Sequence, residues 1–316
     1  MTNILEIKNL NVGFNIEINN EDKFFYALNN INLSFKKGGI HAIAGESGCG
    51  KSVLINTILN LLPNNSKITS GEILFENRNL LELKEKEIRQ IRGRKISLIP
   101  QDPFMSLNPL YTIENQLLEI PALKNVENSK KIIKECLEEV RINNIDNVLK
   151  SYPHELSGGM KQRIIISMSL ISNSNLILAD EPTTALDASV SNSILNLLVD
   201  LKNKGKTIIL ITHDLSIVSN YCDTTTIMYL GNIVENADSD TLFKNPLHPY
   251  TKALLNALPN QRGKKLENIK GQISPITEII NGCKFHPRCN YKMEKCANCK
   301  PELKTVENNC VSCFLY

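Results

Sequence analysis

The chain has no apolar run near the roughly 18 residues that a helix needs to cross a bilayer, so any membrane contact is expected through partners. Its opening, Met1-Thr2-Asn3-Ile4-Leu5-Glu6, lacks the basic-then-apolar layout of a signal peptide, and a cytosolic chain is expected. Charge of one sign is scarce too. Lys and Arg number 36 against 33 Asp and Glu, a net charge of +3, too little to argue for nucleic acid or an anionic surface. There is no internal repeat and no sustained heptad pattern, which excludes solenoids and long coiled coils. What remains is ordinary globular material. An apolar content of 42% over 316 residues suffices for one large domain with an appendage.

The order of patterns predicts an α/β architecture. Residues 4–12 and 31–35 read as strands separated by a polar insertion at 17–23. Ile40-His41-Ala42-Ile43-Ala44 is a short buried strand that feeds a glycine-rich loop. Residues 52–62 read as a helix that stops before Pro63. Between about 102 and 172 the periodicity turns helical, with helices predicted at 129–140 and 161–171. Strands return at 176–179, 207–211 and 225–230, with a helix at 189–204. Strands alternating with helices predict a largely parallel sheet, and the helical block reads as an inserted subdomain. A last helix at 248–258 precedes a polar breaker at 259–265. A tail follows, giving predicted domains of 1–260 and 261–316.

Two phosphate-binding patterns occur in this one chain. Gly45-Glu46-Ser47-Gly48-Cys49-Gly50-Lys51-Ser52 lies between a predicted strand and a predicted helix, the context that a P-loop requires. Gly45, Gly48 and Gly50 let backbone N–H groups, with those of Ser47 and Cys49, turn inward around phosphate. Lys51 is placed for β- and γ-phosphates and Ser52, followed by Val53, for Mg²⁺. The second pattern is Leu156-Ser157-Gly158-Gly159-Met160, directly before a helix, where free N–H groups form an anion site and Ser157 caps. One chain cannot use both on one nucleotide, so two copies or relatives are expected to sandwich ATP. Asp180-Glu181 ends the apolar run 176–179. Asp180 is read as a Mg²⁺ ligand and Glu181 as the general base that polarises water. Gln101, after a strand at 95–99, reaches Mg²⁺ or the attacking water. His213, after the strand at 208–211, contacts the γ-phosphate.

The succession P-loop, Gln101, 156–160, Asp180-Glu181, Ala185-Leu186-Asp187 and His213 resembles the ATP-binding-cassette (ABC) ATPases over roughly residues 4–260. The resemblance implies a P-loop NTPase cassette with an N-terminal antiparallel β subdomain, an inserted helical subdomain and a small Cys-rich C-terminal extension. It implies that Ser157, Gly158 and Gly159 face ATP held by a partner's P-loop. It also implies that Ala185-Leu186-Asp187 communicates across the dimer and that an aromatic among Phe14, Phe24, Phe25 and Tyr26 stacks on adenine. Ile91-Arg92-Gly93, Gln101-Asp102-Pro103, Tyr152-Pro153-His154-Glu155 and His248-Pro249-Tyr250-Thr251 are similar to the oligopeptide/dipeptide importer ATPases. Ser52-Val53 and Arg92-Gly93 look like the D-type subunit. The expected assembly is a heterodimer with an F-type ATPase beneath two permease subunits, served by an extracytoplasmic solute-binding protein. It would sit peripherally on the cytoplasmic face of the membrane and bind no nucleic acid. A nickel or other small-solute importer of the same branch is the alternative. A soluble ABC ATPase acting on DNA or ribosomes fits less well, given one P-loop and little net charge.

Six of the nine cysteines are crowded into the tail: Cys283, Cys289, Cys296, Cys299, Cys310 and Cys313. In a reducing compartment such crowding favours metal over disulfides. Two ligand sets compete. Cys296/Cys299 with Cys310/Cys313 form a double CxxC, the spacing of a four-thiolate Zn²⁺ site. The family pattern implies Cys283, Cys289, Cys296 and Cys313 around a [4Fe–4S] cluster.

Overall fold

The computed structural model describes residues 2–120, 126–184, 186–258, 269 and 271–316. Its strands are, in chain order, β1 (Asn3–Ile18), β2 (Glu21–Lys36), β3 (Ile40–Ala44), β4 (Ser66–Phe75), β5 (Arg78–Asn79) and β6 (Ile96–Ile99). They continue with β7 (Leu176–Asp180), β8 (Thr207–Thr212), β9 (Thr224–Tyr229), β10 (Asn232–Asp238), β11 (Lys304–Val306) and β12 (Asn309–Val311). The chain divides into two compact units. The first holds residues 1–36, 40–82 and 211–316; the second holds 37–39 and 83–210.

In the first unit β1 buries Leu5 and Ile7, then Leu10 and Val12. The odd-to-even change follows a register shift between Ile7 and Leu10, with Asn9 at φ +47°. Such a bulge returns the apolar side chains to the core face. The polar stretch 17–23 joins the two predicted strands instead of interrupting them. β1 and β2 pair through to Ile18 and Glu21, and Asn19 and Asn20 take φ of +54° and +62°, the paired left-handed conformation of a tight two-residue hairpin. These strands form the antiparallel sheet β2-β1-β4-β5. A second run of neighbours is β11-β12-β10-β9-β3. There only β3 and β9 are parallel; β9/β10, β10/β12 and β11/β12 are antiparallel. The parallel pairing expected of the predicted strands holds for β3 with β9; the antiparallel neighbours are the additional strands β10, β12 and β11, which tight returns such as Leu230-Gly231 between β9 and β10 bring in.

In the second unit β6 and β7 are parallel, with β8 beside β7. The helices Ser129–Glu139, Gly158–Ile171 and Ala188–Asn203 pack together. Ile133 and Leu137 are the fully buried stripe of the first. Arg163, on the second, ties its neighbours with two 2.6 Å bonds, to the Val140 carbonyl and the Ser193 hydroxyl. No helix of the described residues is long and apolar enough to cross a membrane.

Candidate active site

The glycine loop leaves the C-terminal end of β3, whose five residues are all buried. Gly50 adopts φ +106°, and a Cβ there would lie 2.8 Å from the Ala27 carbonyl oxygen. Backbone strain and lack of room both demand glycine. The predicted helix starts one residue earlier and ends four earlier, at Lys51–Ile58, with Gly50 as its N-cap and no side-chain capping bond. The first-turn N–H groups are therefore left for an anion. The Lys51 ammonium is buried and donates to the Gly45 carbonyl at 2.8 Å and the Glu46 carbonyl at 3.1 Å. It thus holds the loop's own backbone in a tight arc. Burial raises the Cys49 thiol above its ordinary range, against the pull of the neighbouring Lys51 ammonium. His213 is exposed just beyond β8. Next to it, Asp214 caps the helix Leu215–Tyr221 by accepting the Ser216 N–H at 2.8 Å.

In the second unit Gln101 and Glu181 meet. The Gln101 side-chain amide donates to Glu181 Oε2 at 3.3 Å, and the Thr184 hydroxyl donates to the same oxygen at 2.9 Å. Two donors from two loops fix the orientation of that carboxylate. Glu181 itself takes φ +45°, a left-handed conformation that costs an L-residue energy and clusters at functional sites. Asp180 ends β7, half-buried behind four fully buried apolar residues. Asp102 caps the short turn Pro103–Ser106 by accepting the Phe104 N–H at 2.7 Å. Asp187 caps Ala188–Asn203 by accepting the Val190 N–H at 2.9 Å. Ala185 lies outside the described residues.

Ser157 caps Gly158–Ile171, its hydroxyl accepting the Met160 N–H at 3.3 Å. Gly159 touches the next helix: a Cβ there would meet Val190 Cγ1 at 2.7 Å. The Lys161 ammonium lies 4.2 Å from the centre of the half-exposed Phe104 ring, a cation–π contact beside residues 156–160.

The four aromatic candidates separate by burial. Phe25 is in the core, whereas Phe24 and Tyr26 are exposed and meet edge to face at 5.1 Å. Phe14 is half-buried opposite Phe25. Tyr26 directly precedes Ala27, whose carbonyl is the neighbour of Gly50.

The tail sorts its cysteines. Cys283, Cys289, Cys296 and Cys313 line one small cavity with Phe285 and Phe314. Each of the four sulfurs has a backbone N–H directed at it, from Phe285, Tyr291, Met293 and Leu315 respectively. Burial pushes the Cys283 thiol up to about 11 and raises Cys289 and Cys313 as well. Cys299 is exposed and the Cys310 sulfur lies 3.7 Å from the Thr305 hydroxyl; neither lines the cavity. Among the described residues no three His, Cys, Asp or Glu side chains converge at metal-ligand spacing, so the four sulfurs ring the cavity without meeting at one point.

One contact had no sequence signal. Glu46, inside the phosphate loop, is paired with Arg288 of the tail at 2.7 Å. The polar breaker at 259–265 lies outside the described residues.

Comparisons with known proteins fit this geometry. Residues 28–184 match the family model for ABC transporters. Residues 234–296 match the model for the oligopeptide/dipeptide transporter C-terminal region. A probable peptide ABC transporter ATP-binding protein, y4tR of Sinorhizobium fredii, is 39% identical, with 96% of this chain and 92% of the relative covered. The oligopeptide transport ATP-binding protein AppD of Bacillus subtilis is 40% identical, with 95% and 96% covered. Among solved structures, the ATP-binding cassette MJ0796, a dimer in a post-hydrolysis state with ADP and Pi, superposes with a TM-score of 0.65 at 30% identity. It covers 74% of this chain and 98% of that one.

Proposed function

The chain belongs to the ABC transporter ATP-binding proteins, in the branch with the oligopeptide/dipeptide C-terminal region, and from that premise we propose that it is the ATP-hydrolysing subunit of an importer of oligopeptides or dipeptides. The observation that carries this reading is the presence in one chain of two phosphate-binding elements, each opening a helix: Lys51–Ile58 at the end of the P-loop and Gly158–Ile171 within the second pattern, 156–160. Such a chain works in pairs. The solved cassette it resembles is itself a dimer with ADP and Pi.

In this proposal the loop 45–53, through Gly45, Ser47, Gly48, Cys49, Gly50, Lys51, Ser52 and Val53, holds the phosphates of ATP. Lys51 exchanges its carbonyl partners for the β- and γ-phosphates. Ser157, Gly158 and Gly159 contact the γ-phosphate bound by the partner. Glu181 is the general base, and the Thr184 and Gln101 bonds aim its carboxylate. His213 contacts the γ-phosphate and keeps the in-line geometry. The Ser52 hydroxyl, the Gln101 amide oxygen and the Asp180 carboxylate are hard oxygen donors of the kind that Mg²⁺ selects. Mg²⁺ held by such donors would supply charge neutralisation to the phosphates. Tyr26, exposed and next to the residue that packs on Gly50, is the adenine-stacking ring.

We place the cassette at 1–260 and the extension at 261–316. In the extension, Cys283, Cys289, Cys296 and Cys313 are the residues that would hold a [4Fe–4S] cluster. Support comes from the cavity these four share and from the N–H groups on their sulfurs, which stabilise thiolates facing a metal. Such a cluster would supply a rigid link among four points of the tail. The partner ATPase is the F-type subunit. Both lie on the cytoplasmic face of the membrane beneath two permeases, and a solute-binding protein delivers peptide from outside.

The test is ATP hydrolysis by the assembled transporter in vesicles. Peptide-loaded binding protein should stimulate phosphate release. Stimulation by nickel-loaded binding protein, with none by dipeptides or oligopeptides, would reassign the importer.

A further inference from the structure

We propose that Arg288 is a positioning residue for the ATP site: from the cysteine-rich extension it neutralises Glu46 and fixes it inside the phosphate loop. The inference rests on the reading that residues 45–52 hold the phosphates of ATP.

Glu46 is an awkward residue for its place. A carboxylate one step into a loop built for a polyanion repels the ligand unless a cation balances it. Arg288 supplies that cation in fork geometry. Its Nη1 donates to Glu46 Oε2 at 2.7 Å and its Nη2 to Oε1 at 3.1 Å. Nη1 also donates to the Tyr229 hydroxyl, and Nη2 to the Gly271 carbonyl, both at 3.3 Å. The arginine side chain is only 7% exposed and the glutamate 29%, so water screens the pair weakly. A lysine ammonium is a point donor and could not span both carboxylate oxygens together with the tyrosine.

The rest of Glu46 is held as tightly. Its N–H donates to the Tyr250 hydroxyl at 3.0 Å, and its carbonyl accepts from Lys51 at 3.1 Å. Tyr229 and Tyr250 meet edge to face at 4.7 Å, and Phe285 packs on both at 5.3 and 5.2 Å. Phe285 and Arg288 come from the segment between Cys283 and Cys289. Side chain, amide and carbonyl of one loop residue are thus fixed by the extension, by the helix Pro249–Asn256 and by the loop lysine. The extension acts on ATP binding through Glu46, without touching the nucleotide.

The test uses the full chain, isolated anaerobically, with Mg-ATP titrated at equilibrium and hydrolysis measured with the partner subunits present. Arg288→Gln should weaken ATP binding and raise KM by about tenfold or more, while kcat at saturating ATP stays within about threefold. Adding Glu46→Gln to that variant removes the unbalanced carboxylate and should restore affinity to within about threefold of the native chain. Arg288→Lys should fall between. Native affinity in Arg288→Gln overturns the proposal. So does a Glu46→Gln, Arg288→Gln chain as weak as the single variant, because a merely structural role gives no such rescue. If Arg288→Gln does not fold, the double variant alone decides: it folds and binds ATP if charge balance is what matters, and its failure overturns the proposal. A native chain that binds no Mg-ATP sinks the ATP-site reading itself, a result distinct from either.

Discussion

At the scale of single residues, Glu181 has the most specific setting in the second unit. Its positive φ re-aims the chain just past β7, and Thr184 and Gln101 hold its carboxylate from two sides. A base needs a fixed lone pair, and that arrangement provides one. Glu181→Gln keeps size and a hydrogen-bonding oxygen but removes basicity. We expect kcat for ATP hydrolysis to fall by about 10² to 10⁴, with ATP affinity within severalfold of native. Phosphate release and equilibrium ATP binding, measured on the same preparation, check this. Near-normal turnover would move the base elsewhere. The residues of this chemistry were legible in the sequence because they lie in short consecutive motifs. Glu181 and Gln101 were each singled out, yet their mutual bond spans 80 positions and no local pattern announces it. The Arg288–Glu46 pair spans 242 and left no trace at all.

At the scale of elements, legibility follows burial. β3 and β8 are short, wholly buried runs, and apolar composition located both within a residue. β4 carries no clear strand pattern, because its sequence Ser66–Phe75 is polar in its first half and broken by Gly71 at φ +110°. A Cβ at Gly71 would strike the Leu10 backbone at 2.5 Å, so the glycine serves a close crossing that only tertiary structure reveals. β12, three residues long, is too short to carry a pattern of its own. What places it is a buried carboxylate rather than a periodicity. Glu235, in β10, is fully buried and accepts from the N–H groups of Leu247 at 2.7 Å and His248 at 2.9 Å, and from the Asn309 amide at 3.1 Å. It joins the start of Pro249–Asn256 and the first residue of β12 to the sheet. Removing it strands two buried backbone donors at about 1–3 kcal/mol each. Glu235→Ala should therefore lose about 3 kcal/mol or more in urea unfolding, and Glu235→Gln, which keeps one acceptor oxygen, about half of that. A loss below about 1 kcal/mol for the alanine variant would show that water replaces the carboxylate.

At the scale of the whole molecule, the open matter in the sequence was which four cysteines act together. Spacing could not decide, since thiolates suit both zinc and iron–sulfur clusters and two sets of four overlap in Cys296 and Cys313. Position separates them. Cys299 is exposed at the end of Glu294–Asn298, and Cys310 sits on β12 beside Thr305, whereas Cys283, Cys289, Cys296 and Cys313 surround one cavity. A metal centre held by those four ties residue 283 to residue 313, and so binds the ends of the tail to each other. Such a centre would form only in the folded chain, and its binding free energy would then add to stability. Cys283→Ser and Cys313→Ser should then lose iron and acid-labile sulfide together and melt several degrees below the native chain. Cys299→Ser and Cys310→Ser should retain both the iron and the melting temperature. Iron and sulfide assays with visible absorbance on anaerobic preparations, followed by thermal melts, separate the sets. A colourless native chain carrying one zinc, lost on changing Cys299 or Cys310, would instead select the double CxxC.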